Sequence, residues 1–192
     1  MGHSRAEMKY KKKRKLRPEF KIILVGSLLL FVFMAYFVSS LILQEEDRSY
    51  KDPLARISSI DELNDKTKEA LTLFLRIAKD KGLNVVVTET YRTQERQDYL
   101  YSLGRTTEGS VVTWTKNSRH TKRNAFDIAK NVAGHEYDDV EFFRKCAEIA
   151  KSIGLEAGYY WEKGQQDMPH FQMATFGKVI YPEGYEKNEN SN

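Results

Sequence analysis

Two short stretches of this sequence place histidines and carboxylates at spacings that could serve a metal site. Ser118–Asp127 contains His120 and, seven residues later, the carboxylate of Asp127. Further along the chain, Asp167 precedes a second histidine, His170, by three residues. Two histidines and one carboxylate around an open fourth position are typical of a catalytic zinc site, and a further carboxylate can activate the bound water. The alternative interpretation is that His120 and His170 are unrelated histidines of a loop and of the core.

The positive charge of the chain is concentrated at its amino terminus. The 192 residues carry a formal net charge of +4, and the pI is near 9.0. Residues 1–21 contain nine lysines and arginines and two acidic residues, a net charge of +7. The rest of the chain has 22 basic and 25 acidic residues and therefore a net charge of −3. Because the basicity belongs to a tail, we expect no nucleic-acid partner.

An apolar run follows this basic tail. Residues 22–43 contain no charged side chain, and a helix of that length would cross a hydrocarbon core of about 30 Å. We therefore expect one transmembrane helix at 22–43. A secretory signal cut near Ser39 and Ser40 is an alternative, although the apolar part of such signals is usually shorter. Basic residues precede the run and acidic residues follow it, which predicts a cytoplasmic amino terminus and a domain on the cell-wall side.

The remaining sequence predicts an α+β domain, with helices beside a small antiparallel sheet. A capping-box pattern at Ser59–Glu62 predicts a helix that ends near Gly82, and two further helices are expected from Thr93 to Ser102 and from Asp138 to Gly154. Strands are predicted at 84–90, 125–130, 155–160 and 170–174. The predicted organisation is a basic tail (1–21), the transmembrane helix (22–43), a linker (44–57), the globular domain (58–180) and a polar tail (181–192).

The only cysteine, Cys146, excludes a disulfide within the chain. It lies in an apolar stretch of the third predicted helix, where we expect a small buried side chain. No histidine or carboxylate pattern is tied to it, so a catalytic thiol is not favoured.

A series of motifs in one order surrounds the histidines and carboxylates. They are Tyr91-Arg-Thr-Gln-Glu-Arg-Gln97, Leu100-Tyr-Ser-Leu-Gly-Arg105, Val112-Thr-Trp-Thr-Lys-Asn-Ser-Arg-His120, Ala125-Phe-Asp127 and Asp167-Met-Pro-His-Phe171. Together they resemble the zinc peptidases that cut peptidoglycan stem peptides, from about Ile60 to Ala174. That family includes the D-alanyl-D-alanine carboxypeptidases related to VanY and the L-alanyl-D-glutamate endopeptidases of phage endolysins and bacterial walls. The resemblance implies an architecture shared with the hedgehog signalling domain.

The resemblance also implies roles for individual residues. It identifies His120, Asp127 and His170 as the ligands of a Zn²⁺ cofactor, which leave the fourth position for water. It identifies Asp167 as the general base that takes a proton from this water and passes it to the departing amine. The alternative for Asp167 is that it caps a turn ahead of Pro169.

Three further side chains are predicted to act in the site, one of them, Arg92, through the same resemblance. Arg92 corresponds to an arginine that stabilises the oxyanion, and its alternative is an ion pair with Glu89 or Glu95. Ser118 and Gln97 are expected to orient polar groups of the substrate. Ser118 could instead cap its own loop by bonding to the backbone.

Two positions depart from the family pattern. Asn124 stands where a glycine is frequent, and asparagine also tolerates a left-handed backbone. Gln172, two residues after His170, stands where a glutamate is frequent. Neither change removes a ligand or the base.

The leading hypothesis is a membrane-anchored zinc peptidase that hydrolyses peptidoglycan stem peptides. The motifs through Gly104-Arg105 and Val112–Trp114 favour an L-alanyl-D-glutamate endopeptidase, with D-alanyl-D-alanine carboxypeptidase as the alternative within the class. A zinc-bearing module that binds the wall without cutting it, and a structural membrane protein with a fortuitous match, are alternatives from other classes. The oligomeric state, and whether a bacterium or a phage encodes the chain, are left open.

Overall fold

The computed structural model describes residues 26–40 and 50–187, and the chain divides into two compact units, Met1–Glu46 and Asp47–Asn192. In the first unit, residues 26–40 are helical with exposed side chains. Among the residues that the structure describes, no helix has the length and apolar character needed to cross a membrane. The transmembrane helix predicted at 22–43 is thus not found there, and its ends, like the basic tail, lie outside the described residues.

The second unit is built on a four-stranded sheet. Its strands are β1 (Val85–Glu89), β2 (Ala125–Lys130), β3 (Leu155–Ala157) and β4 (His170–Met173). Their order in the sheet is β1-β2-β4-β3, and every neighbouring pair is antiparallel. The predicted small antiparallel sheet is therefore confirmed. The strand predicted at 155–160 ends early because Gly158–Tyr160 turn into a 3₁₀ helix.

Three α-helices accompany the sheet: α1 (Asp65–Asp80), α2 (Gln94–Ser102) and α3 (Val140–Ser152). Thr93 caps α2 as predicted, because its hydroxyl accepts a hydrogen bond from the Arg96 amide. The predicted capping box at Ser59 is not formed. Residues 60–62 make a single 3₁₀ turn without a side-chain cap. The first α-helix instead begins after Asn64, whose side chain accepts from the Thr67 amide.

The core lies against one face of the sheet. On β2, the side chains of Phe126 and Ile128 are fully buried, whereas Asp127 between them belongs to the opposite face. Phe74 of α1 packs against Phe126 and against Phe171 of β4, with ring centroids 5.9 and 5.4 Å apart. Alternation along the strands therefore gives the sheet one apolar face and one face that can carry polar chemistry.

The predicted linker packs against the domain over its described part, from residue 50 onward. The Tyr50 hydroxyl donates to Glu62 Oε2 at 2.7 Å, and the Thr93 hydroxyl donates to the Pro53 carbonyl at 2.5 Å. The Thr90 amide donates to the Ile57 carbonyl at 2.7 Å. These bonds fix residues 50–57 as an edge of the domain.

The beginning of the predicted polar tail is also bonded to the domain. The Tyr181 hydroxyl donates to Glu69 at 2.6 Å, and the Tyr185 hydroxyl donates to Asp80 at 3.1 Å. Both acceptors lie on α1, so the chain extends along this helix beyond the predicted domain boundary. Residues 188–192 lie outside the described residues.

Candidate metal centre

Three side chains on the polar face of the sheet converge within hydrogen-bonding distance. Nε2 of His120 and Nδ1 of His170 each lie 3.1 Å from Oδ1 of Asp127. The two nitrogens are themselves 3.1 Å apart. These residues form the one group of three potential metal ligands among the described histidines, cysteines and acidic residues. The structure therefore brings together the three ligands assigned from the sequence.

Strand register places two of these ligands. Asp127 on β2 lies directly opposite His170 on β4 in the antiparallel pair, so both side chains leave the same face. An irregularity in β1 puts Glu89, rather than Thr88, opposite Asp127 on the other side. Glu89, Asp127 and His170 consequently form a row across the sheet.

The third ligand, His120, comes from a short turn just before β2. Residues His120–Lys122 form a 3₁₀ helix that Arg123 closes in the left-handed conformation, with φ of 58°. Among the described residues, the non-glycine residue with a positive φ is thus Arg123 and not the neighbouring Asn124, for which the sequence indicated only tolerance of this conformation. Arg123 is held by the Glu62 carboxylate and backbone carbonyl, and its guanidinium lies 3.9 Å from the centroid of the Tyr91 ring.

Hydrogen bonds on the far side of each imidazole fix its tautomer. Nδ1 of His120 lies 2.9 Å from the Thr90 carbonyl oxygen, which can only accept. Nε2 of His170 lies 3.2 Å from the amide oxygen of Gln172. Each ring therefore donates outward and directs the lone pair of its other nitrogen toward Asp127. Two lone pairs and a carboxylate oxygen then face one another with no proton between them, an arrangement that a cation stabilises.

The donor set fits zinc. Two imidazole nitrogens and one carboxylate oxygen make up a common three-ligand catalytic zinc site. Donors at the corners of a tetrahedron with bonds of about 2.0–2.1 Å would lie about 3.3 Å apart, close to the 3.1 Å separations observed. Although burial alone would raise the pKa of Asp127, positive charge at the positions of His120 and His170 holds that pKa far below its ordinary value, as the charge of a bound cation would.

Asp167 faces the same cleft, which has a volume of about 440 Å³. The backbone around it is fixed, since the Asp167 amide donates to the Gly158 carbonyl and the His170 amide donates to the Asp167 carbonyl, both at 3.1 Å. Partial burial in the cleft raises the pKa of the Asp167 carboxyl, and the Asp127 carboxylate raises it further. A carboxyl with a raised pKa is a better proton acceptor for general-base chemistry than an ordinary one.

Arg92 lines the cleft and is held by its neighbours. Its Nε and Nη2 donate to the two oxygens of Glu89 at 3.1 and 2.5 Å, and Nη1 donates to Gln97 at 2.8 Å. Nη2 also lies 3.7 Å from Asp127 Oδ2. Burial works to lower the pKa of Arg92, but the Glu89 carboxylate more than compensates and raises it. The ion pair considered as the alternative from sequence is thus formed with Glu89, at a position beside the ligands.

Gln97 lies beneath the cleft instead of lining it. Its side chain is fully buried. The amide nitrogen donates to the Thr115 carbonyl at 2.6 Å and to the Thr113 hydroxyl at 3.3 Å, while the oxygen accepts from Arg92. Gln97 therefore supports Arg92 and the loop before His120, and its contact with substrate stays a prediction.

Ser118 lines the cleft and also serves its own turn. Its side chain is nearly buried, and its hydroxyl oxygen accepts from the His120 amide at 3.2 Å. The capping interaction considered from the sequence is therefore present.

Trp161 forms another part of the wall, with its ring centroid 5.1 Å from that of His170. Trp114 is two-thirds exposed and does not line this cleft.

Two supporting residues were not assigned from the sequence. Glu89 is buried and bonds both Arg92 and Arg96, a role that the two arginines downstream of a strand could have indicated. Gln172, noted only as a departure, sets the tautomer of His170; its position two residues along the same strand places it on the same face.

Cys146 is fully buried, and burial raises its pKa to about 12, which agrees with a structural thiol.

Comparison with known proteins gives the family. The sequence model described as VanY, D-alanyl-D-alanine carboxypeptidase, matches residues 60–172, more than half of the chain. This chain belongs to the VanY family. The match covers all three converging ligands and Asp167.

Two proteins with named activities are similar in sequence to this VanY-family chain. The chain is 35% identical over 108 residues to the peptidoglycan L-alanyl-D-glutamate endopeptidase CwlK of Bacillus subtilis, covering 50% of this chain and 64% of that one. It is 30% identical over 133 residues to the L-alanyl-D-glutamate peptidase of Listeria phage A118, covering 64% and 44%. The chain thus spans less than two thirds of the length of either relative.

A solved structure supports the fold. The LdcB LD-carboxypeptidase superimposes with a TM-score of 0.50 at 18% identity, over 65% of this chain and 63% of that chain. At this identity, the similarity shows that the two proteins share a fold. It agrees with the α+β architecture built on the small antiparallel sheet.

Proposed function

We propose that this VanY-family chain is a zinc peptidase that hydrolyses the L-alanyl-D-glutamate bond of peptidoglycan stem peptides. The observation that carries the proposal is the convergence of His120, Asp127 and His170 beside Asp167 in one cleft. The choice of bond is supported by two relatives whose names specify that bond.

The potential ligands, Asp167 and Arg92 have defined parts in this proposal. His120, Asp127 and His170 would hold zinc, which would supply Lewis acidity for the scissile carbonyl and lower the pKa of a bound water. Asp167 accepts a proton from the attacking water and returns it to the leaving amino group. Arg92 stabilises the negative charge that develops on the carbonyl oxygen. Because Glu89 and Gln97 already fix its guanidinium, little further ordering is required at the moment of reaction.

The test is digestion of purified peptidoglycan by the full-length chain, with mass spectrometry of the products. The reaction is run with zinc, with a chelator, and with zinc restored after chelation. An Asp167→Ala variant is assayed beside the wild type, and zinc content is measured for both. The expected result is a new amino terminus on D-glutamate that requires both zinc and Asp167.

Two other outcomes would replace this proposal. Release of D-alanine without cleavage before D-glutamate would make the chain a D-alanyl-D-alanine carboxypeptidase, the activity in the family description. Binding of peptidoglycan by a folded, zinc-loaded chain without any cleavage would make it a wall-binding module.

The proposed location remains an expectation from sequence. The basic residues before position 22 and the acidic residues after position 43 orient a membrane-anchored chain with its peptidase domain on the wall side. Protease treatment of cells with a permeabilised wall tests this orientation, because the domain should be degraded while an amino-terminal tag is retained. Recovery of the whole chain in the high-speed supernatant would contradict membrane anchoring.

A further inference from the structure

Four arginines line the cleft, and they differ in whether a carboxylate neutralises their positive charge. Arg92 and Arg96 share the buried carboxylate of Glu89, with the shortest contacts at 2.5 and 3.0 Å. Arg56 has no hydrogen bond or ion pair with any other residue in the described part of the chain. Arg119 donates only to the neutral hydroxyl of Thr175, at 2.9 Å. Two guanidinium groups of the cleft therefore lack a carboxylate partner within the described residues.

Both of these arginines are attached to backbone that is itself fixed. Arg119 immediately precedes the ligand His120. Arg56 immediately precedes Ile57, whose carbonyl accepts from the Thr90 amide at 2.7 Å and from the Thr90 hydroxyl at 3.2 Å. The Thr90 carbonyl oxygen in turn accepts a hydrogen bond from the His120 ring. Arg119 and Arg56 therefore belong to backbone segments that lead directly into His120 or are hydrogen-bonded to Thr90, which contacts His120.

The net charge of the cleft favours the binding of an anion. Its lining has four arginines against three carboxylates, Glu89, Asp127 and Asp167, so it carries one net positive charge before any metal binds. The chain beyond residue 21 is acidic overall, so the positive cleft is a local feature. A guanidinium group presents paired donors that match the two oxygens of a carboxylate.

We infer that Arg56 and Arg119 bind the free carboxylate of the acidic residue next to the scissile bond. This inference rests on the proposed function, and it specifies the substrate class within it. A glutamyl residue inside a peptide uses one carboxyl group in the chain and keeps the second as a free carboxylate. The selected substrates are consequently stem peptides in which that carboxylate is unmodified, as opposed to those in which it is an amide.

The test uses two synthetic stem peptides that differ only in whether the free group of the glutamyl residue is a carboxylate or a carboxamide. The zinc-loaded full-length chain should hydrolyse the carboxylate peptide with a kcat/KM roughly tenfold or more above that for the carboxamide. Arg56→Gln and Arg119→Gln should each lower kcat/KM for the carboxylate peptide, mainly through KM, and leave the carboxamide peptide nearly unchanged. In the double variant the two substrates should become equivalent.

Lys51→Gln and Lys122→Gln are the matched controls. Each removes one positive charge from an exposed side chain near Arg56 or Arg119, and neither lysine lines the cleft. Both should keep the preference of the wild type. Retained hydrolysis of the carboxamide peptide shows that the site of each arginine variant is intact.

The inference would be overturned if the wild type cut both peptides equally, although the proposed function would then still stand. It would also be overturned if the arginine variants lost activity on both peptides in the same proportion. Should neither peptide be cut, the proposed function fails, and calorimetric binding of the two peptides replaces hydrolysis as the readout. Tighter binding of the carboxylate peptide, lost in the double variant, would still support the role of the arginines, and equal binding would refute it.

Discussion

The amide oxygen of Gln172 lies 3.2 Å from Nε2 of His170, so this imidazole donates to the glutamine and keeps its Nδ1 lone pair for a metal ion. The amide nitrogen of Gln172 donates in turn to Glu156 on β3, at 2.5 Å. This second bond determines which end of the amide faces the histidine. Residues on two strands, Gln172 on β4 and Glu156 on β3, therefore set the tautomer of a potential metal ligand.

Loss of this acceptor should weaken zinc binding. Gln172→Leu removes the oxygen that fixes the His170 ring, and we expect zinc affinity to fall by about 10–100-fold. Gln172→Glu keeps an acceptor at this position and should retain most of the affinity. Competition with a chromophoric chelator measures both variants. Gln165→Leu, at an exposed position, is the control; equal affinities in Gln172→Leu and wild type would argue against a positioning role.

Asp167 should matter for turnover and not for metal binding. Asp167→Asn keeps the size of the side chain but removes the proton acceptor, so kcat should fall by about 10²–10⁴-fold. Zinc content should stay at the wild-type level, because the three ligands are unchanged. Glu162→Gln, an exposed acidic residue shortly before it, should have normal kcat. If zinc were lost in parallel with activity, Asp167 would be a ligand or a structural residue instead.

Gly158 should be required for the placement of Asp167. A Cβ atom at position 158 would overlap the Asp167 carbonyl oxygen, and backbone cannot yield as a flexible side chain does. Gly158→Ala should therefore displace the Asp167 segment, lowering kcat and destabilising the fold by about 1–3 kcal/mol. Gly164→Ala is the comparison, since no atom lies near its Cβ position and only its positive φ opposes the change. Steady-state kinetics and urea unfolding distinguish them; normal kcat in Gly158→Ala would contradict the prediction.

The left-handed residue Arg123 offers a test of backbone strain near the site. Both Arg123→Ala and Arg123→Gly remove the ion pair with Glu62 and the contact with Tyr91, so both should be less stable than wild type. Only glycine adopts a positive φ without cost, so Arg123→Gly should be more stable than Arg123→Ala by about 1 kcal/mol. Urea unfolding of the two variants measures the difference. A more stable alanine variant would mean that the turn does not keep this conformation.

The sequence indicated the chemistry that we propose and located most of the elements. The strand patterns located the four strands, and the ordered motifs assigned the three potential ligands and Asp167 to one site. These features are local, because strand periodicity and caps depend on residues a few positions apart. The same local reasoning misplaced the first helix start, because Ser59 has the residue type of a cap but makes no capping bond, whereas Asn64 does.

Only the tertiary structure decided which polar side chains support the site and which line it. Gln97 and Arg92 belong to the same motif, yet Gln97 is buried beneath the cleft, whereas Arg92 lines it. Arg56 lies in a stretch that reads as a linker, and it reaches the cleft because residues 53–57 bond to residues 90–96 through their backbone carbonyls. Such contacts join residues distant in sequence, and their geometry depends on strand register and packing, which no short pattern encodes.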